Sequence, residues 1–353
     1  MTRPALLIFA VVLLAFESSS YAQSTTADSA KPPSQIDRIR RWFEVEQLTA
    51  SMRYHFVENA NKVKASNNDQ YNFISRFRVK FDPKGRYSLA ASVTTGPVFN
   101  TYWDATGIGT GTSQKNITVR QFFFDAKPSK KVEMQIGGLY FNYGEATEAI
   151  LYDNDSYLTG ERVQVRDPRH LYFDEISATY AVVGDVSTPN VFKRFGHFGK
   201  QNYHQFLVRK QLSKIVGFSA DYTFQSGIDT LHEALRIKVP PRHFIDTFLF
   251  EQYERVDPDR NYGFNVFGEK KLSKMFTASG GFADIHIASL NADRFPPGKR
   301  VYATGQLKVS PEFSFLLQYT RGVGFISPTI VRNRLDLTFT YNILETLHKL
   351  KLN

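Results

Sequence analysis

A chain of 353 residues carrying 31 Phe, 18 Tyr and 2 Trp is long enough to bury or enclose a large interior. Its mean hydropathy is only −0.33, so polar residues dilute the apolar ones evenly. The absence of cysteine excludes disulfide frameworks, cysteine-held zinc and thiol nucleophiles, while the net charge of +10 is dispersed rather than gathered in a basic arm, which points away from nucleic acid and toward anionic headgroups or an anion-attracting interior.

Residues 1–22 have the pattern of a secretion signal: Arg3, the apolar run Ala5–Phe16, and a small-x-small site at Ser20 and Ala22. That apolar run is too short to span a bilayer as a helix, and no later run is long enough. The Ser/Thr/Ala/Pro-rich stretch Gln23–Gln35 reads as a disordered leader. Ile36–Glu46 is either a short helix at the mouth of the fold or the lead into a first strand, so 23–41 forms a leader or short helix.

From there the chain alternates apolar and polar residues almost to its end. One set on a common side is Leu48, Ala50, Met52, Tyr54 and Phe56. Phe122–Tyr143 reads as a hairpin around a Lys/Pro/Ser turn, with Phe122, Phe124, Val132, Met134 and Ile136 on one side and Glu133 and Gln135 on the other. Comparable turns recur in Lys210–Phe224 and Glu269–Phe282. Fifteen segments stand out, and the rhythm of short turns requires a sixteenth at Tyr157–Val165. The expected fold is all-β: a transmembrane antiparallel up-and-down β-barrel of about sixteen strands over residues 42–343, followed by a short tail 344–353. Longer loops are expected at 57–70, 95–115, 144–156, 183–201, 226–232, 255–260, 285–299 and 322–330. A soluble sandwich or propeller also alternates. Here, however, Phe and Tyr dominate the apolar side, and Tyr54, Tyr71, Tyr140, Tyr319 and Tyr341 fall toward strand ends, as aromatic girdles do.

Residues opposite the lipid side would line the lumen. The densest basic group there is Arg76, Arg78 and Lys80, with Arg53 and His55 on the neighbouring strand. Such a ladder either selects anions or pairs with lumen carboxylates and fills a wet interior. The connection after the hairpin, Gly144–Ser156, carries Glu145, Glu148, Asp153 and Asp155. The basic and aromatic stretch Val191–Lys200 suits contact with lipopolysaccharide or a ligand, or a pinned surface loop.

Strand number, loop order and this placement of charge resemble the general diffusion porins of Gram-negative outer membranes. The resemblance implies an outer-membrane channel for passive diffusion of small hydrophilic solutes, with Arg53, Arg76, Arg78 and Lys80 lining the pore. It further implies that the acidic loop folds inward, with Glu145, Glu148, Asp153 and Asp155 at a constriction. Partners implied are outer-membrane lipid and lipopolysaccharide, and a homotrimer. The eight histidines are scattered and sit in no G-x-S-x-G or H-E-x-x-H context, so passage rather than catalysis is expected, with neither cofactor nor metal. A substrate-selective barrel for an oligosaccharide or organic acid, and an outer-membrane enzyme, are the alternative readings.

Overall fold

A computed structural model describes residues 41–96, 103–104, 117–146, 158–167, 170–183, 190–240, 243–257, 261–285, 298–323 and 331–350. The leader and secretion signal lie outside the described residues. Sixteen strands follow one another: β1 (Phe43–Asn59), β2 (Lys64–Lys80), β3 (Tyr87–Thr95), β4 (Ile117–Ala126), β5 (Val132–Leu139), β6 (Leu158–Val165), β7 (Glu175–Val182), β8 (Tyr203–Gln211), β9 (Val216–Gln225), β10 (Ile228–Lys238), β11 (Thr247–Asp257), β12 (Asn261–Lys271), β13 (Phe276–Ile285), β14 (Gly298–Lys308), β15 (Phe313–Val323) and β16 (Val331–Asn342). Each strand pairs antiparallel with its chain neighbours, and β16 pairs with β1 from Thr49↔Asn342 onward, closing the barrel. Closure leaves no unpaired edge, a condition for sheet structure in hydrocarbon. The strand required by turn rhythm is β6.

Burial is inverted relative to a water-soluble protein. Polar inner residues are sealed, with Ser88, Thr230 and Glu251 at 0% exposure, whereas outward apolar ones are open: Met52 63%, Tyr222 47%, Leu317 46%. A sandwich would do the opposite, so the outward band is the surface that meets lipid. Aromatic rings cluster near the strand ends; Phe313 stacks on Tyr341 at 5.0 Å and on Phe339 at 5.8 Å. In the hairpin, Phe122, Phe124, Val132, Met134 and Ile136 share the outward side, as the alternation requires, with Phe124 against Phe81. Tyr140 departs from expectation. Pairing of β5 with β6 ends at Leu139↔Leu158, so alternation no longer governs Tyr140, and it turns into the barrel instead of joining a girdle.

One end of the barrel carries the shorter connections, among them turns at 81–86, 127–131, 212–215, 272–275 and 309–312. Four of them share a serine whose hydroxyl accepts backbone N–H groups two and three residues on: Ser129, Ser213, Ser273 and Ser310. This local bond gives the backbone a turn in place of a ladder, which explains the recurrent Ser in otherwise different turn sequences. The other end holds the longer connections, but three expected loops shrink. β1 and β2 run on into 57–70 as far as a turn at 60–63, where Asn59 Oδ1 accepts from the backbone of Asn61 (3.0 Å) and Val63 (2.9 Å). β9 and β10 meet through Ser226 and Gly227, both at positive φ (52° and 89°), so 228–232 is strand rather than loop. β11 likewise runs on to Asp257 and β12 starts at Asn261, leaving 258–260 between them in place of a loop at 255–260. Polar residues in these stretches continue the strands; they do not interrupt them.

Among the described residues, two short helices flank the barrel. Helix α1 (Val191–Arg194), capped by Asn190, leads into a 3-10 turn (Phe195–His197) and packs Phe192 and Phe195 on the outward Phe122 at 5.2 and 6.4 Å. Buried Arg194 donates to the carbonyl of Arg120. Helix α2 (Ile343–Lys349) occupies most of the expected C-terminal tail and docks at the short-turn end, where Lys349 pairs with Glu312 at 3.2 Å.

Candidate functional site

The residues after β5 form a strap along the inside of the wall. Residues 140–146 cross one strand after another. Arg162 of β6 donates to the Tyr140 carbonyl. Asn142 donates to Ser177 of β7 (2.9 Å) and accepts at its carbonyl from Gln205 of β8 (3.0 Å). The Glu145 N–H donates to Ser219 of β9 (2.8 Å), and Arg236 of β10 donates to the Glu145 carbonyl (2.8 Å). Ala146 packs with Ala234 of β10 and Leu249 of β11. Backbone groups that leave a ladder need new partners, and these inward side chains supply them.

Two glycines permit the close approach. Gly144 has φ +63°, and a Cβ there would stand 2.6 Å from Ser219 Cβ and Oγ. At Gly217 a Cβ would meet Glu145 Cδ at 2.9 Å. L-residues resist the first backbone conformation, and any side chain would push the strap off the wall at either site.

Glu145 is the electrostatic anchor of the strap. Its carboxylate is nearly sealed and lies between two guanidinium groups, Arg209 Nε at 2.6 Å and Arg236 Nε at 3.1 Å. It is thus neutralised by the wall on which it lies and does not oppose Arg76–Lys80. Glu148, Asp153 and Asp155 lie outside the described residues. Around the strap lies an aromatic cluster: Phe123 meets Tyr140 edge-on at 6.3 Å, and Phe141 meets Tyr203 at 5.6 Å. Beyond it, buried His232 bonds Asp221 (2.9 Å), while Glu251 accepts from Asn265 (2.7 Å), whose oxygen accepts from Tyr302 (2.7 Å).

The four basic candidates all lie on the inner side, and they differ. Arg53 stands 3.6 Å from Asp336, donates to Gln70, and stacks over Trp103 at 4.2 Å. Arg78 pairs with Glu46 (2.6 Å) and Asp125 (2.8 Å), and Lys80 with Glu44 (2.6 Å). Arg76 makes no ion pair among the described residues and faces the Tyr140 ring at 5.2 Å. The basic ladder is therefore largely neutralised by neighbouring carboxylates. Strand alternation sets Arg209 and Arg236 on the inner side but gives no sign that both converge on Glu145. The sequence reading puts His232 in a loop and passes over Trp103 altogether; strand parity at His232 is the signal available.

No family model matches the chain, and no curated protein matches it. Solved structures do. A Salmonella typhi OmpF complex with daunomycin superposes with a TM-score of 0.57 at 10% identity, covering 85% of this chain and 97% of that one. A triple mutant of Rhodopseudomonas blastica porin gives a TM-score of 0.51 at 9% identity, covering 85% and 99%. With its closed ring of sixteen antiparallel strands, the chain is a porin-like transmembrane β-barrel in fold.

Proposed function

We propose that the chain is a channel of the outer membrane of a Gram-negative bacterium, through which small hydrophilic solutes diffuse passively with a mild anion preference. The strap carries this reading. It packs into the aromatic cluster, which reaches Tyr253 of β11 and Tyr302 of β14, while β13–β16 and β1 present small polar groups such as Ser279, Thr304, Gln306, Gln318, Thr340 and Ser51 on their inner side. The hydroxyls and amides of this wall exchange hydrogen bonds with passing solute and water, and the charges among them are compensated where Asp336 meets Arg53 and Arg334. The anion preference is mild because Arg53, Arg78 and Lys80 are paired, which leaves Arg76 to contribute most of it. Glu145 anchors the constriction. The surroundings are outer-membrane lipid and lipopolysaccharide, the short-turn end faces the periplasm, and the assembly is a homotrimer. Planar-bilayer conductance of the purified protein in a salt gradient tests the reading. Nanosiemens-scale, weakly anion-selective steps are expected, and a complete lack of conductance would overturn it.

A second reading, selective passage of an oligosaccharide or organic acid, is favoured by one observation. Phe267 and Tyr302 stack on the inner face (6.5 Å, 16° between planes), and Arg76 stands over Tyr140. Aromatic planes beside a cation suit such solutes. Saturable block of the current by a sugar or carboxylate would favour it, and unchanged current would dismiss it.

A further inference from the structure

Adjacent turns at the short-turn end enclose a cleft of about 400 Å³, the size of a small-molecule site. Six of its lining side chains are cations: Lys84 and Arg86 from the β2–β3 turn, Lys127, Lys130 and Lys131 from the β4–β5 turn, and Arg166 just past β6. Glu133 is the one carboxylate among the lining residues. The cleft lies on the lumen side of the rim. Lys127 reaches the inward Asp125 (3.1 Å) and Glu133 (3.4 Å), and Arg166 reaches Glu133 (2.9 Å) and Glu175 (3.0 Å).

Each wall of the cleft is fixed by its own hydrogen bonds. The Asp82 carboxylate accepts from the backbone N–H of Lys84 and of Tyr87, both at 2.9 Å, and Ser129 Oγ accepts from those of Lys131 and Val132, both at 3.2 Å. The turns are also tied to one another: the Lys127 N–H donates to the Arg86 carbonyl (2.6 Å), and the Arg166 N–H to the Lys131 carbonyl (2.7 Å). Such a cradle loses little freedom when a ligand enters. Four of the six cations are compensated by the wall. Arg86 has Asp82 at 3.6 Å, Lys131 has Asp167 at 2.6 Å, and Lys127 and Arg166 share Glu133. Lys84 and Lys130 are exposed and make no ion pair among the described residues.

We propose that this cleft binds the phosphoryl group of a small soluble phosphomonoester. Two ammonium groups without carboxylates match one dianion, and a phosphomonoester is doubly charged above its second pKa of about 6. A monocarboxylate would leave one of the two uncompensated. Geometry favours phosphate as well. Three tetrahedrally placed acceptor oxygens can take donors from three turns at once, whereas a carboxylate has two oxygens in one plane. Ser129 adds a donor, because its oxygen already accepts two N–H groups and its own proton is left for an acceptor in the cleft. The cleft is larger than one phosphoryl group fills, which leaves room for the organic part. The periplasmic position of the site rests on the functional reading above; binding itself does not rest on the passage of solute.

Calorimetric titration of the full-length protein in detergent with glycerol 3-phosphate tests the site. Saturable binding is expected, with none for glycerol and with acetate at least tenfold weaker. Lys84→Gln combined with Lys130→Gln should weaken binding at least tenfold. Lys274→Gln, in the Ser-Lys turn at 272–275 outside the cleft, should leave it unchanged. Heat-modifiable gel mobility checks that each variant is folded. Phosphatidylcholine nanodiscs with and without phosphatidylglycerol separate a soluble phosphate from a lipid headgroup. Similar affinity in both is expected, and a loss of more than tenfold with phosphatidylglycerol would assign the cleft to lipid and overturn the proposal. No saturable binding of glycerol 3-phosphate, acetate binding as tightly, or the parent's affinity in the double variant would each overturn it too. Binding by a barrel that conducts nothing would support this cleft while overturning the channel, and conductance without binding would do the reverse.

Discussion

Replacing Glu145 by Ala should release the strap. The substitution removes two ion pairs, Arg209 at 2.6 Å and Arg236 at 3.1 Å, and leaves both guanidinium groups facing the lumen. Hydrogen bonds to charged groups contribute about 1.5–3 kcal/mol each when sealed. Here Arg209 is 44% exposed and Arg236 29%, so water screens and partly replaces what is lost. A net loss of about 1–3 kcal/mol is expected, which shifts the balance between seated and unseated strap by roughly 5- to 150-fold. The backbone bonds to Ser219 and Arg236 remain, so the strap should exchange between positions and not vanish. In planar bilayers, Glu145→Ala should therefore show larger mean conductance and pronounced open-channel noise. Glu145→Gln, which keeps shape and one acceptor, should fall between the variant and the parent. Gly144→Ala, whose Cβ meets Ser219, should have the same effect by sterics alone. Conductance and noise indistinguishable from the parent in all three would refute the strap as the element that narrows the lumen.

Three other predictions follow from separate parts of the molecule. Arg76→Gln should move the reversal potential toward cations more than Arg78→Gln does, because only Arg78 already has carboxylate partners; equal shifts would show that pairing does not decide selectivity. Leu317→Arg on the outward side of β15 should cost about 2–4 kcal/mol in reversible folding into lipid, while Leu316→Arg, facing inward, should cost far less. Similar costs at both positions would count against a lipid-facing band. At the short-turn end, hydrogen bonds from Ser310 and from its own backbone N–H, together with Lys349, hold the Glu312 carboxyl at about 2, and Lys131 and His170 do the same for Asp167. Carboxyl pKa values depressed by folding stabilise the fold fully above the unfolded pKa near 4, and this contribution is lost progressively as pH falls from there through about 2. Hydrogen-exchange protection of helix α2, taken relative to the intrinsic exchange rate at each pH, should therefore hold from neutral pH to about pH 5 and fall between there and about pH 2. Protection that is the same at about pH 5 and about pH 2 would mean that Glu312 does not dock the helix.

Alternation made the hairpin legible. A period of two fixes which side each residue takes once a strand exists, so Phe124 and Met134 were assigned outward from sequence, and the structure has them there. Even β6, a weak segment, was recoverable, because a closed antiparallel ring needs an even number of strands. Strand ends were less visible. Asn67, Asn68 and Asp69 look like loop but lie within β2, because a two-stranded extension beyond the bilayer may be polar on both sides without penalty.

What the sequence determined by itself is therefore the barrel: its strand count, the recurrence of its short turns, and the side each residue of a paired strand faces, Tyr140 beyond the end of β5 excepted. These are local properties, set by neighbours within a few residues. What only the tertiary structure decided is which charges meet. Glu145 and Arg236 are 91 positions apart, and Arg78 and Asp125 are 47 apart. Their pairing depends on where the chain goes when β5 stops pairing at Leu139, and on the curvature that carries β8 to β10 to that point. No periodicity encodes either, because the ion pairs are consequences of closure and of an inward strap, and both exist only once the ring has formed.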